Sequence, residues 1–293
     1  MKKRIACLLL FSLALVACRG LPSRGPIDPS LAAFIPEDAV ALVGVRIDQL
    51  RETPIYRKLD TEHRLPRFEN FRTESGFDPA RDMRELLVAT NGVNTLAMAR
   101  GVFRTRPAGD LTSTPYRGFT LFARDAREVM VFPDQNTVLG GAGAVVCSAI
   151  DRYKSGAHSA PPGLMERAQS IPDDAQVWAV VSGWRGLTPE TLREMGNAGN
   201  LDRVLRSVED ATLTVNLHSG LHAAAVGECR SEALATSLSE QLRGLAGALR
   251  IGVPENRPDL TRALNGIRVT QDSRTVKVKI DIAPDVAEKL LQQ

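Results

Sequence analysis

Short, uninterrupted apolar runs alternate with turn residues along this chain, and only a few stretches carry a helical period. Residues 40–45 (VALVGV) are apolar throughout, too few for a helix, and bounded by Pro and Asp, so they predict a buried strand. Leu50, Tyr56, Leu59 and Leu65 then stand among charges, with Pro54 tolerable in a first turn and Pro66 ending the segment, which predicts a broken helical stretch. Residues 86–89 and 95–99 flank Asn91-Gly92, a pair that readily supplies the positive φ angles of a type I′ hairpin turn. Three further strands are expected at 118–123, 129–132 and 137–139, then a helix over 143–154 carrying Val146, Ile150 and Tyr153, and then a loop at Pro161 and Pro162.

The pattern then starts again. Ile35-Pro36-Glu37-Asp38-Ala39 before the first strand returns, 136 residues on, as Ile171-Pro172-Asp173-Asp174-Ala175 before the apolar run 177–181. Leu50 with Thr53-Pro54 is echoed by Leu187-Thr188-Pro189, and the first hairpin by residues 211–226, turning at Ser219-Gly220. So long a period fits two related domains and not a solenoid. The expected fold class is α+β: two related α+β domains with largely antiparallel sheets and packed helices, spanning residues 31–168 and 169–293.

The strongest helical period lies in the second half. From a cap at Ser231 to about Arg250, Leu234, Leu238, Leu242, Leu245 and Leu249 share one face. That stripe is expected to pack on a sheet, and the alternative is that it forms a groove for lipid or for another helix. Gly244 and Gly247 weaken the helix by about 1 kcal/mol each relative to Ala, which suggests close backbone approach. Residues 266–270 and 275–282 form a last hairpin, with Val276, Val278, Ile280 and Ile282 alternating with polar positions, and a short helix opens at Pro284.

The first 18 residues change the picture from fold to location. Lys2, Lys3 and Arg4 precede an apolar core at 5–15 that is too short to span a bilayer. Leu15-Val16-Ala17-Cys18 then reads as a bacterial lipobox, in which the Cys18 thiol takes a diacylglyceryl group before residues 1–17 are removed as a signal peptide. The competing reading is ordinary cleavage after Ala14, which would release a free protein. Residues 18–30, rich in Gly, Pro and Ser, read as a flexible tether, and about 11 extended residues reach at most ~40 Å. The membrane is thus an expected partner through lipid (palmitate) at Cys18. Arg19 is not the aspartate that marks inner-membrane retention, so the expected location is the cell envelope, at the outer membrane and facing the periplasm.

Charge and chemistry narrow the functional classes. The 37 Lys and Arg exceed the 34 Asp and Glu only by the three basic residues of the leader, so the remaining chain is neutral and lacks the footprint of a nucleic-acid binder. Its length of 293 residues, less the leader, is enough for about two modest domains. Cys147 and Cys229 are expected as buried, unpaired thiols, although an oxidising periplasm leaves a disulfide open. Gly140-Gly141-Ala142-Gly143 fails the GxGxxG spacing at Val146 and follows no βαβ pattern. His218 and His222 sit on either side of a hairpin turn with no nearby cysteine, so no metal and no cofactor is expected. GxSxG, HExxH and Walker signatures are missing, and the acidic pairs Glu37-Asp38 and Asp173-Asp174 suit turns or caps better than catalysis. Trp184, beside Gly183 and Arg185, suits an exposed contact at the domain junction, since tryptophan is enriched at binding hot spots.

Ile35-Pro36-Glu37-Asp38-Ala39, Tyr116-Arg117-Gly118, Val138-Leu139-Gly140, Ala149-Ile150-Asp151 and the second Ile-Pro-Asp-Asp-Ala together resemble a bacterial envelope family catalogued only as a domain of unknown function. The resemblance covers most of the chain after residue 31. It implies the duplicated α+β unit and carries no activity or site residues; members of that family look anchored by a helix, where this chain has a lipobox. The function expected is a non-enzymatic, membrane-anchored binding or interaction module with an envelope protein partner, Trp184, Leu238, Leu242 and Leu245 being the expected contact residues. The alternative is a carrier of lipid or another hydrophobic ligand on the leucine face, and an enzyme is a third reading, since fold never excludes activity.

Overall fold

The computed structural model describes residues 26–62, 76–103, 111–123, 128–157, 160–183 and 207–291. Their strands join in one antiparallel twelve-stranded sheet: β1 (Ala41–Arg46), β2 (Met83–Thr90), β3 (Thr95–Gly101), β4 (Thr112–Tyr116), β5 (Phe119–Ala123), β6 (Glu128–Val131), β7 (Thr137–Ala142), β8 (Val177–Ser182), β9 (Val208–Asn216), β10 (Leu221–Cys229), β11 (Ile267–Asp272) and β12 (Thr275–Ile282). The spatial order is β11-β12-β10-β9-β8-β1-β2-β3-β7-β6-β5-β4. The described helices are α1 (Pro29–Ala32), α2 (Ile47–Glu52), α3 (Pro54–Thr61), α4 (Pro79–Asp82), α5 (Gly143–Ser155), α6 (Pro162–Gln169), α7 (Glu232–Ile251), α8 (Pro258–Asn265) and α9 (Pro284–Leu291). The chain is thus of mixed α and antiparallel β structure.

Near the middle of the sheet β1 pairs with β8, the two strands that follow the repeated phrase. Ala41 faces Val181, Val43 faces Ala179 and Val45 faces Val177. The flanking bonds mirror each other: Arg46 N–H donates to Gln176 O at 2.8 Å and Ser182 N–H to Val40 O at 2.9 Å. Each phrase makes the same turn, Ala39 N–H donating to Pro36 O and Ala175 N–H to Pro172 O. Each aspartate then accepts from an asparagine at the end of the next strand, Asp38 from Asn91 Nδ2 at 2.6 Å and Asp174 from Asn216 Nδ2 at 2.7 Å. The acidic pairs therefore serve turns, in keeping with the short polar side chains that stabilise them.

One face of the sheet carries the main core. Leu42, Leu87, Ala89, Leu96, Met98, Leu139, Trp178 and Val180 lie there under Val146 and Ile150 of α5 and Leu164 and Ala168 of α6. The core draws on both sides of residue 168, so the two halves share it. Trp178 crosses onto β1 at Gly44, where a Cβ would meet its ring at 2.1 Å. Arg46, also buried, donates from Nη1 to the carbonyls of Pro172, Asp173 and Ala175 and so ties the end of β1 to the second turn phrase. The opposite face carries two smaller clusters. Phe77, Met83, Ala99, Phe103 and Val138 pack at one end, and Val208, Cys229 and Val276 pack under Ala235 and Leu238 of α7 at the other. Between them Val43 and Leu213 stay about two-fifths exposed, at 39% and 40%.

Several local expectations shift. The Asn91-Gly92 hairpin closes on Thr90 and Thr95 through a four-residue loop, with Asn91 Oδ1 accepting from Val93 and Asn94 N–H. The two-residue turn with consecutive positive φ is instead Arg117-Gly118, at 51° and 86°, between β4 and β5. The stretch expected as a loop at Pro161 and Pro162 contains α6, because proline at a first helical position gives up an N–H that has no partner anyway. The tether reading to residue 30 overlaps folded chain: Asp28 caps α1 by accepting from Ser30 N–H, and Ile27 packs on the core. Both cysteines of the folded part are free, Cys229 buried and Cys147 half-buried, so the expectation of two buried thiols holds only for Cys229.

Candidate functional site

The leucine stripe of α7 does not lie squarely on the sheet. Its buried positions are Ala235, Leu238, Ser239 and Ala246, with Leu242 half-buried beside them. At about 100° per residue, their centre is some 60° round from the centre of the Leu234–Leu249 stripe. Ser239 explains part of the turn, since its hydroxyl donates to Thr236 O and bonds Gln271 Oε1, a side chain of the edge strand β11. Arg243 Nε and Arg250 Nη2 donate to Val269 O and Ile267 O of the same strand and fix the helix along it. The consequence is an apolar shoulder: Leu234, Leu245 and Leu249 are 39%, 54% and 49% exposed. Gly244 and Gly247 beside them meet no atom within 4 Å of a built Cβ, so the close backbone approach expected there is not found among the described residues.

Of the expected contact residues, the structure separates three. Leu238 is buried and serves as a core residue, Leu242 is half-buried, and Leu245 is on open surface. The expected burial of the whole stripe is corrected accordingly. Cys18 and Trp184 lie outside the described residues.

A second apolar feature lies at the other end of the same sheet face. A groove of about 560 Å³ runs over β3 and β7, lined by Phe77, Met83, Leu86, Ala97, Ala99, Leu111, Phe122, Met130, Val138 and Gly140 among others. Sequence reasoning missed it because its floor is an absence of side chain on neighbouring strands that lie far apart along the chain. The register alone reveals it, by placing Ala97 opposite Gly140 and Gly140 opposite Met130.

Two polar arrangements were also missed. Glu85, on β2, receives Asp28 N–H at 3.4 Å in a recess with Arg46, Asp48, Arg100 and Asp173. Burial raises its carboxyl to about 7, helped by the charges of Asp28 and Asp48 and opposed by the Asp28 N–H and by Arg46. At the β9–β10 hairpin, Ser219 Oγ lies 3.2 Å from His222 Nε2, and Asp281 Oδ1 lies 3.0 Å from Nδ1. The order of groups matches that of a serine hydrolase, here on an exposed hairpin tip. Nε2 also lies 3.1 Å from Ser219 O, which can only accept, so both ring nitrogens face acceptors and the hydrogen bonds to Asp281 and to Ser219 O raise the imidazole above its ordinary value. These contacts tie the exposed tip of the β9–β10 hairpin to β12.

Two phrases of the family resemblance meet in space: Tyr116 Oη donates to Asp151 Oδ2 at 2.9 Å, and Arg117 Nε lies 2.8 Å from Asp151 Oδ1. They anchor the β4–β5 hairpin to α5. Among the described residues no group of three or more His, Cys, Asp or Glu could hold a metal ion, and no helix is long and apolar enough to cross a membrane.

No protein-family model and no curated protein matches this sequence. The chain is similar to solved structures of TP0453. Crystal form I aligns with a TM-score of 0.48 and 8% identity over 90% of this chain and 96% of that one. Crystal form III aligns with a TM-score of 0.49 and 6% identity over 91% and 99%.

Proposed function

We propose that this protein is a lipid-anchored, non-enzymatic interaction module of the bacterial cell envelope that docks a partner protein on the shoulder of α7. The observation that carries the reading is the rotation of α7 away from its own leucine stripe, which leaves Leu234, Leu245 and Leu249 on open surface. Exposed apolar patches on folded proteins mark contact sites, because leaving them in water costs about 25 cal/mol per Å². The lipobox supplies the location: acylation at Cys18 would hold the folded part at the membrane. We read the two halves as copies of one α+β unit, a reading supported by the mirrored β1–β8 register and the paired Asp–Asn contacts. Membership of the envelope family of unknown function is part of the same proposal.

A photo-crosslinking residue in place of Leu245, in intact envelopes, is expected to give one protein adduct that disappears when Leu234 and Leu249 are changed to Ser. The same residue in place of the exposed Glu240 gives none. Adducts to lipid alone support the alternative, a carrier of lipid on the leucine face, and no adduct at Leu245 overturns both. The anchor is tested at a single atom. Cys18→Ser is expected to abolish palmitate labelling and stop lipoprotein-type cleavage while export continues, since only a thiol can form the thioether. A wild-type chain that takes up no label and partitions into the aqueous phase overturns the anchor.

A further inference from the structure

We propose that residues 26–30 form a pH-gated strap, docked across a polar recess while Glu85 keeps its proton and released, with Leu31 as the hinge, when Glu85 loses it. Every residue of the strap lines the recess of about 850 Å³ that also holds Glu85. Apolar and polar contacts keep it there. Pro26 is buried, and Ile27 packs half-buried on the main core. Asp28 spans the recess, its N–H donating to Glu85 Oε1 at 3.4 Å and its carboxylate lying 3.5 Å from Arg100 Nε. Leu31, the next residue after the strap, is fully buried and marks where release stops.

What Glu85 meets on ionising is set by the charges of the recess. Asp28 of the strap, Asp48 of α2 and Asp173 of the second turn phrase stand there with Arg46 of β1, Arg84 of β2 and Arg100 of β3. Two of the arginines are committed elsewhere. Arg46 Nη1 donates to the carbonyls of Pro172, Asp173 and Ala175, and Arg100 divides its charge between Asp28 and Asp134, at 3.5 and 3.8 Å. Arg84 is exposed. Among the described residues the Glu85 carboxyl bonds Asp28 N–H and pairs with no cation. Burial, with Asp28 and Asp48 beside it, holds its proton up to about 7 while the strap is docked. Release takes the Asp28 carboxylate away and admits water, so the proton leaves more readily. A proton held more tightly in the docked form favours docking in full below about 4.5, and that advantage is lost as pH rises to 7. With Cys18 as the anchor, five freed residues add at most about 18 Å to the tether. That consequence alone rests on the anchor.

The test is amide hydrogen exchange of the full chain from about pH 4.5 to 8, each rate corrected for its intrinsic value. In the docked form Asp28 N–H bonds Glu85, Ser30 N–H bonds the Asp28 carboxylate, and Leu31 and Ala32 N–H bond Asp28 O. Protection at these amides is expected to fall about tenfold per pH unit between 5 and 7 and to level off above 7. It should stay below the protection of Leu87, in the buried middle of β2, at every pH, as a local opening requires. Glu85→Gln keeps the shape and cannot ionise, so it should hold the pH 5 protection throughout. Protection that is flat with pH in the wild type, that equals that of Leu87, or that falls alike in Glu85→Gln overturns the proposal. Each of these outcomes reads the strap whether or not Cys18 carries lipid.

Discussion

Gly44 is held by Trp178, a neighbour 134 positions away in the chain. The Trp178 indole fills the space its side chain would take, and the ring is almost wholly buried, so neither partner can move aside. Gly44→Ala is expected to cost at least the ~1–3 kcal/mol of ordinary overpacking, read as a lower urea midpoint with an unchanged slope. Gly140→Ala, whose added Cβ comes no nearer than 4.0 Å to an atom of the described residues, should leave the midpoint nearly where it was. Glu85 sets a pH dependence of definite sign. Its carboxyl has a folded value of about 7 against an ordinary 4.5, so the folded state holds the proton more tightly. That stabilisation is full below about 4.5 and is lost as pH rises through 7, amounting to on the order of 3 kcal/mol. Glu85→Gln should therefore raise the melting temperature at pH above about 8 and flatten its slope between the two values. An unchanged slope in calorimetry across that window would show that Glu85 is not buried in this way.

At the scale of the element, α7 shows how a helix can be read correctly and still be placed wrongly. Its length, its Ser231 cap bonding Leu234 N–H and its amphipathic period all follow from the sequence. The face it buries is chosen by Ala235, Ala246 and Ser239, small residues that allow close approach to the sheet, and by the arginines that reach the edge carbonyls of β11. Those arginines also occupy acceptors that an incoming strand would use. The two classes of leucine should separate in experiment. Leu238→Ala is expected to lose about 2–5 kcal/mol of stability, the cost of a core cavity. Leu245→Ser should change stability by no more than ~0.5 kcal/mol and act only on the docked partner, as measured by denaturation alongside crosslinking.

For the whole molecule, the pairing of β1 with β8 decides cooperativity. It is antiparallel and continuous over five residue pairs, and Leu42, Trp178 and Val180 join a single core. Arg46 adds a charged clasp from one half onto the turn of the other. The halves are thus expected to unfold together, giving one calorimetric transition for the folded chain. Two resolved transitions, or a stable fragment of residues 169–293 alone, would mean that the shared strand pair contributes little.

The sequence by itself determined the apolar strands, the strongest helix, the repeated Ile-Pro-acidic-Asp-Ala turns and the mix of helix with antiparallel sheet. Each of these rests on residues within a few positions of one another: period, cap and turn chemistry act locally. It missed α6 and α8, whose first turns begin at Pro162 and Pro258, and it placed the type I′ turn at Asn91-Gly92 when Arg117-Gly118 adopts it. What only the tertiary structure decided is how distant strands meet. Whether two similar units stay apart or share a sheet edge depends on a β1–β8 register that no local pattern encodes. The same is true of the groove, which exists because Ala97 and Gly140 become neighbours. It is true of the α7 shoulder as well, because a helix buries the side that fits its neighbours and not always its most apolar side.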